Sequence, residues 1–324
     1  MLIPKSRGAL SAELFAILPS MQPDDTLPAT LPAATGDADE QIALWGLYEL
    51  HYRGFDDVDA ALEWHPDLLR LRRSLEIAFE GRLRARYTAE DIAADAGPGM
   101  AASVFALVDG HRGPSLASYV QRQADREQVL DLLRMRSIYH LKETDPTAWA
   151  VPRLPRASQA ALVELMYDEY GCGRTIQVHS GLFARAMAAC GLDDRYGAYI
   201  DEVPTEVLEQ NNAMTLFGLH ARLRGAAVGH LAAFEATSSL PSRRLAQGLQ
   251  RVGLPTEAVD YYLEHVEADA VHEQLATRGI CAALVEEDPS SADAVFFGVF
   301  TCLDLESRLA SEVLAGWGAL PGGE

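Results

Sequence analysis

Helix-favouring segments follow one another along this 324-residue chain, and this pattern restricts its fold more than any other feature. Segments such as residues 39–55 and 65–87 repeat apolar residues at helical spacing, and prolines or glycines separate them. Alternating runs of β-branched residues, which predict strands, are almost absent. The short candidate TIQVHS, residues 175–180, lies among helical segments. We therefore predict an all-α fold.

The amino-acid composition indicates which kinds of partner and which cellular compartment to expect. The formal net charge is −20, which argues against nucleic acid or an anionic membrane as a partner because either favours a basic surface. The four cysteines form no CxxC pair, so neither a disulfide framework nor a thiolate zinc site is expected. We find no secretory cleavage pattern and no apolar run of membrane-spanning length, and we expect a cytoplasmic protein.

The chain divides into three predicted regions. Residues 18–36 contain four prolines, which are typical of an extended arm or linker. We predict an N-terminal arm or linker over residues 1–36 and an accessory helical region over residues 37–115. The main helical domain is predicted over residues 116–324.

The segment HVEADAVH, residues 265–272, carries the clearest chemical pattern. On a helix, His265, Asp269 and His272 share one face because their spacings of four and seven residues are close to whole turns. The two histidines are about 10 Å apart along the axis. That stripe is too long to wrap one ion with all three side chains, but it suits two metals side by side. The alternative is a solvated helix face among neighbouring glutamates.

Three further places offer carboxylates or imidazoles that could face this stripe, as in carboxylate-bridged helical bundles. Glu143 ends a predicted helix, and its alternative is a solvent-exposed glutamate. Glu235 follows a stretch of small and apolar residues, where a buried carboxylate needs a partner or a metal. Its alternative is a surface position or an ordinary hydrogen bond.

Glu169 and His179 are separated by ten residues, about 15 Å on a straight helix, and could not share a site there. Gly171 and Gly173 lie between them, and paired glycines are typical of a kink or break. We therefore predict a distorted helix at this point.

The spacing of these residues resembles the ligand series of the haem-oxygenase-like diiron oxidases, also called iron-containing redox enzymes. The segments that carry the resemblance are HLKETDPTAWAVPRL, ALVELMYDEYGCGR, RLRGAAVGHLAAFEATSS and EHVEADAVHE, within about residues 135–310. The resemblance implies a haem-oxygenase-like helical bundle, with the accessory helical layer making homodimer contacts. It also implies six core iron ligands: Glu169, His179, Glu235, His265, Asp269 and His272.

Glu143 matches an additional carboxylate ligand that is associated with the N-oxygenating members of this family. The resemblance therefore implies two irons, dioxygen as co-substrate, an external electron donor and a peroxo-diferric intermediate. The implied reaction is oxygenation of the nitrogen of an amine, guanidine or amino-heterocycle in specialised-metabolite biosynthesis. No cupin domain, which accompanies one N-oxygenating relative, is predicted in these residues.

Three imidazoles and four carboxylates suit two ferrous ions, although manganese has similar ligand preferences. Beyond these metal ligands we predict neither separate catalytic residues nor an organic cofactor site. One alternative keeps the irons but changes the reaction to desaturation or C–C cleavage of a fatty acid or amino acid. Another alternative is a non-catalytic helical binding protein.

Overall fold

The computed structural model describes residues 1–88 and 99–319, apart from the side chains of residues 267–270. The predicted all-α class is confirmed, and the described residues contain no β-strand. Within the same ranges, no helix combines the length and hydropathy that are needed to cross a bilayer.

The helices are short to medium in length, and most are separated by turns that contain proline or glycine. The first half contains α1 (Ala9–Ile17), α2 (Asp37–Glu49), α3 (Pro66–Arg86), α4 (Met100–Gly110), α5 (Leu116–Arg122), α6 (Arg126–His140), α7 (Asp145–Ala148) and α8 (Arg156–Glu169). The second half contains α9 (His179–Ala189), α10 (Thr205–Leu219), α11 (Arg224–Ala236), α12 (Ser239–Arg251), α13 (Thr256–Gln274), α14 (Ala283–Glu287) and α15 (Ala292–Gly316).

The N-terminal residues pack onto the rest of the chain. Helix α1 lies against α2 and buries Leu10, Leu14 and Phe15. A Cβ atom on Gly46 would lie only 2.8 Å from the Phe15 ring, so glycine allows this close approach. The arm predicted over residues 1–36 is therefore docked in its first part, because these apolar side chains leave water. The boundaries near residues 36 and 115 stay predictions.

Helix α11 lies at the centre of the bundle, against α15. A Cβ atom on Gly229 would collide with the carbonyl oxygen of Val295, and one on Gly298 would collide with that of Ala226. Small residues thus allow the two backbones to touch, as the sequence of this helix indicates. This packing places Glu235, near the end of α11, inside the bundle, where its residue is only 5% exposed.

Helix α13 continues into a π-helical segment, Leu275–Ala282, that packs against α8. The hydroxyl of Ser158 in α8 donates a hydrogen bond of 2.9 Å to the carbonyl oxygen of Ile280. Such wide turns occur frequently at functional sites. Here the wide turn begins three residues after His272, so the same helix pair carries both the turn and several of the predicted ligands.

Candidate metal centre

One group of possible metal ligands combines Glu143, His179 and His265. Glu143 lies between α6 and α7, His179 begins α9, and His265 lies in α13. All three are buried, and each offers a ligand atom within 4.8 Å of those of the other two. The imidazole rings of His179 and His265 have their centroids 4.7 Å apart. Three separate elements therefore converge on one point.

A second group combines Glu169, Glu235 and His272, also buried and with ligand atoms within 4.8 Å of one another. Nδ1 of His272 lies 3.2 Å from Oε1 of Glu169 and 3.6 Å from Oε2 of Glu235. These residues come from the end of α8, from α11 and from α13.

Glu169 connects the two groups. Its Oε2 lies 3.0 Å from Nδ1 of His179, while its Oε1 lies 3.2 Å from Nδ1 of His272. One carboxylate thus presents one oxygen to each group, as a carboxylate bridge between two cations requires. His265 and His272 belong to different groups, which is the arrangement that their spacing on one helix predicts.

The predicted distortion between Glu169 and His179 is present. Helix α8 ends at Glu169, and the chain turns through Gly171, Cys172 and Gly173, which all have positive φ, before α9 begins at His179. A Cβ atom on Gly171 would lie 2.6 Å from the backbone of Gln177 and Val178. This tight turn brings His179 back to Glu169, which a straight helix could not do.

Two of the imidazoles are oriented by hydrogen bonds from the nitrogen that faces away from the groups. Nδ1 of His265 lies 2.8 Å from the carbonyl oxygen of Tyr261, and Nε2 of His272 lies 2.8 Å from Oδ2 of Asp168. Because both oxygens accept, these nitrogens donate, and the opposite nitrogens are left to bind a metal. Asp168 was not among the predicted site residues. Its position next to Glu169 was the available signal.

Glu143 is enclosed by His140 and Tyr261, which were not among the predicted site residues. His140 Nδ1 lies 3.2 Å from its Oε1, and the Tyr261 hydroxyl lies 3.2 Å from its Oε2 and 2.8 Å from His140 Nδ1. Glu143 is 6% exposed, so the solvent-exposed alternative is wrong. Helical spacing was the available signal, because His140 precedes Glu143 by three residues and Tyr261 precedes His265 by four.

Residues of the predicted accessory region hold the backbone beside Glu143. Thr144 has a φ of 75°, a strained conformation for a β-branched residue. Lys142 is buried, with its Nζ 3.7 Å from Oε2 of Glu49 and 4.5 Å from the centre of the Tyr52 ring. Arg53 donates a hydrogen bond of 3.0 Å to the carbonyl oxygen of Leu141. Residues 49–53 therefore hold the segment that carries Glu143.

The ligand groups concentrate negative charge. Burial alone would raise the pKa of Glu169, but hydrogen bonds from His179 and His272 outweigh it and lower this pKa to about 2. Burial lowers the pKa of His272, but hydrogen bonds to Glu169 and Glu235 outweigh that effect and raise it to about 11. Protons on the imidazoles thus balance the carboxylates, and a metal cation can replace them.

The donor set fits two divalent cations of borderline to hard character, which accept mixed imidazole and carboxylate ligation. A cavity of about 10 Å³, lined in part by Glu143, Glu169, Glu235 and His265, lies between the groups and holds about one water at most. The side chain of Asp269 lies outside the described residues, so its predicted role as a ligand stays a prediction.

Two comparisons with known proteins agree with this geometry. Residues 130–307, which include all seven predicted ligands, match the family described as iron-containing redox enzymes. The chain is also 29% identical over 146 residues to the nitrosourea synthase of Streptomyces achromogenes subsp. streptozoticus. That alignment covers 45% of this chain and 31% of the relative, so the chain spans about a third of that protein. The resemblance found in the sequence is confirmed, and the structure agrees with a haem-oxygenase-like fold.

Proposed function

Since the chain belongs to the family of iron-containing redox enzymes and is thus an oxidoreductase, we propose that it is a dioxygen-activating diiron N-oxygenase. Its substrate would be a small amine, guanidine or amino-heterocycle in specialised-metabolite biosynthesis. The position of Glu143 carries this proposal. It is buried beside His179 and His265, and it adds a carboxylate to the imidazoles of the first ligand group.

The similarity to a nitrosourea synthase supports nitrogen as the target atom, because the name of that relative describes a nitrogen-containing product.

The residues of this chain would bind, orient and shield the metal centre. Iron bound at the two groups would supply the electrons that reduce dioxygen, and an external donor would restore them. Glu169 would hold the two ions side by side, and the hydrogen bonds to Tyr261 and Asp168 would fix the two imidazoles of α13. Because the central cavity is only about 10 Å³, bulk water is kept away from the reacting atoms.

The proposal also covers the oligomeric state of the protein and its location in the cell. We propose a cytoplasmic homodimer with contacts through residues 37–115. Light scattering on the purified chain, at concentrations from micromolar to millimolar, would test the dimer. A mass of one chain at every concentration would reject it.

The decisive experiment titrates the metal-free protein with ferrous iron under anaerobic conditions and then adds dioxygen, a reductant and a panel of amines and guanidines. We expect two irons per chain and products that have gained oxygen on nitrogen, as detected by mass spectrometry. The variant Glu143→Gln should lose the N-oxygenated product. The matched control Glu164→Gln changes an exposed glutamate of α8 and should retain it.

Other outcomes would support the alternatives. Two irons with desaturated or cleaved products from a fatty acid or amino acid would replace N-oxygenation with carbon chemistry. No stoichiometric iron would reject the diiron enzyme and favour a helical binding protein.

A further inference from the structure

A chamber of about 240 Å³ lies beside the metal centre. Side chains of α5, α6, α11, α12, α13 and α15 line it. A cavity needs only about 10–15 Å³ of such space to hold one water, so the chamber has room for many. This is enough for a small organic molecule.

The chamber shares two wall residues with the metal centre. Phe234, which precedes the ligand Glu235, lines both the chamber and the small cavity between the ligand groups. His140 lines the chamber, and its Nδ1 lies 3.2 Å from Oε1 of Glu143. A molecule held in the chamber would therefore lie next to the predicted reaction site.

In the wall of the chamber, the acidic side chain of an ion pair is more exposed than its basic partner. Glu306 pairs with Arg136, and the Glu306 side chain is 42% exposed, against 18% for Arg136. Glu306 lies in the middle of α15 and is exposed because it lines the chamber and an adjoining cavity of about 30 Å³.

The hydrogen bonds to Glu306 leave room for one more donor. Its Oε2 accepts from Arg136 at 3.3 Å and from Gln210 at 2.8 Å, whereas its Oε1 accepts from Arg136 alone among the described residues. A carboxylate oxygen can accept two hydrogen bonds. One acceptor position on Oε1 is thus left for a ligand.

Tyr262 also lines the chamber, and it is only 4% exposed. Its hydroxyl is buried and has no hydrogen-bond partner within the part of the chain that the structure describes. Because this hydroxyl is closed to a water-sized molecule, Tyr262 contributes to the wall of the chamber but offers no hydrogen bond there.

We propose that this chamber binds the substrate, and that the substrate is a small alkylguanidinium or alkylammonium cation. Its nitrogen donates to Oε1 of Glu306, and Leu116, Leu132 and Leu245 surround its carbon chain. The binding site stands on its own observations; only calling the ligand a substrate rests on the proposed function. An anionic fatty acid would meet the exposed carboxylate and be disfavoured.

Calorimetry on the full chain, metal-free and anaerobically loaded with ferrous iron, tests this proposal with n-butylguanidinium, n-butylurea and hexanoate. The first two probes have nearly the same shape and differ in charge. We expect the wild type to bind n-butylguanidinium about tenfold or more tightly than n-butylurea. Both probes donate to the Glu306 carboxylate, but only the guanidinium is itself charged, and a hydrogen bond between two charged groups is stronger. Hexanoate should bind more weakly than either.

Three variants locate the binding. Glu306→Gln should remove the preference for the cation, and Glu312→Gln, an exposed glutamate on the same helix, should leave it unchanged. Ala117→Leu narrows the chamber while keeping both residues of the Arg136–Glu306 pair, and it should weaken binding of both probes. This variant keeps the test valid if Glu306→Gln fails to fold.

Equal binding of the two probes by the wild type, or binding unchanged in Ala117→Leu, would overturn the proposal. Failure of the binding site and failure of the proposed function are distinguishable. Cation binding by a chain that takes up no stoichiometric iron would reject the oxygenase and keep the site, whereas N-oxygenation by Ala117→Leu at the wild-type rate would reject the site and keep the oxygenase.

Discussion

The two ligand groups are supported in different ways. Glu169, Glu235 and His272 are placed by helices α8, α11 and α13, which pack together in the bundle. In the other group, Glu143 lies on an irregular segment beside the strained Thr144, and residues 49–53 of the accessory region hold that segment. One half of the centre is thus formed between packed helices, while the other half also depends on contacts from residues 49–53.

The largest expected effect is the loss of metal binding at both ligand groups together. Glu169 presents one oxygen to each group, so Glu169→Ala should reduce bound iron from two per chain to almost none. Iron would be measured by mass spectrometry after anaerobic loading and desalting. Glu164→Ala on the same helix is the matched control. Retention of one iron by Glu169→Ala would show that the groups are independent.

Lys142→Met should affect the two ligand groups of the centre differently. Removing one partner of a buried ion pair leaves Glu49 without its lysine and costs about 3–5 kcal/mol of unfolding free energy. The first group should also lose metal affinity while the second keeps it. Denaturant unfolding and iron counting would measure both effects.

The chain contains two lysines, and the exposed Lys5 provides the matched control Lys5→Met. The double variant Lys142→Met, Glu49→Leu removes both charges and should recover part of the stability. A loss below about 1 kcal/mol in Lys142→Met would mean that this pair does not hold the Glu143 segment.

Asp168→Asn tests the second group alone. Its carboxylate orients His272 through the 2.8 Å hydrogen bond, and loss of such an orienting partner weakens metal binding about 10–100-fold. Competition with a chelator would measure this change. Equal weakening of both metals would contradict the assignment of His272 to one group.

Metal binding should also change gradually with pH. The pKa of His272 is raised to about 11, well above the usual value near 6.5, so the metal-free protein keeps this proton at neutral pH. The metal must displace it, and apparent affinity should therefore rise about tenfold per pH unit for each proton released. Manganese titrations at pH 6, 7 and 8 would measure the slope, and a slope of zero would contradict the prediction.

Much of the centre was predictable because helix geometry is local. The spacing of His265 and His272 fixes them on one face of α13, and the glycines after Glu169 indicate where a helix breaks. Asp168, His140 and Tyr261 were missed because an orienting hydrogen bond depends on which side chains meet. The ligand role of Asp269 and the boundaries near residues 36 and 115 stay predictions.

The sequence by itself determined the all-α class, the helix that carries two of the imidazoles, and the spacing that indicates the family. Tertiary structure decided that Glu143 is buried, that Glu169 faces both groups, and that Lys142 pairs with Glu49. It also brought Glu306 and Tyr262 to the chamber beside the centre. The physical reason is that helical periodicity arises from hydrogen bonds four residues apart, whereas burial and charge pairing depend on contacts between residues distant in sequence.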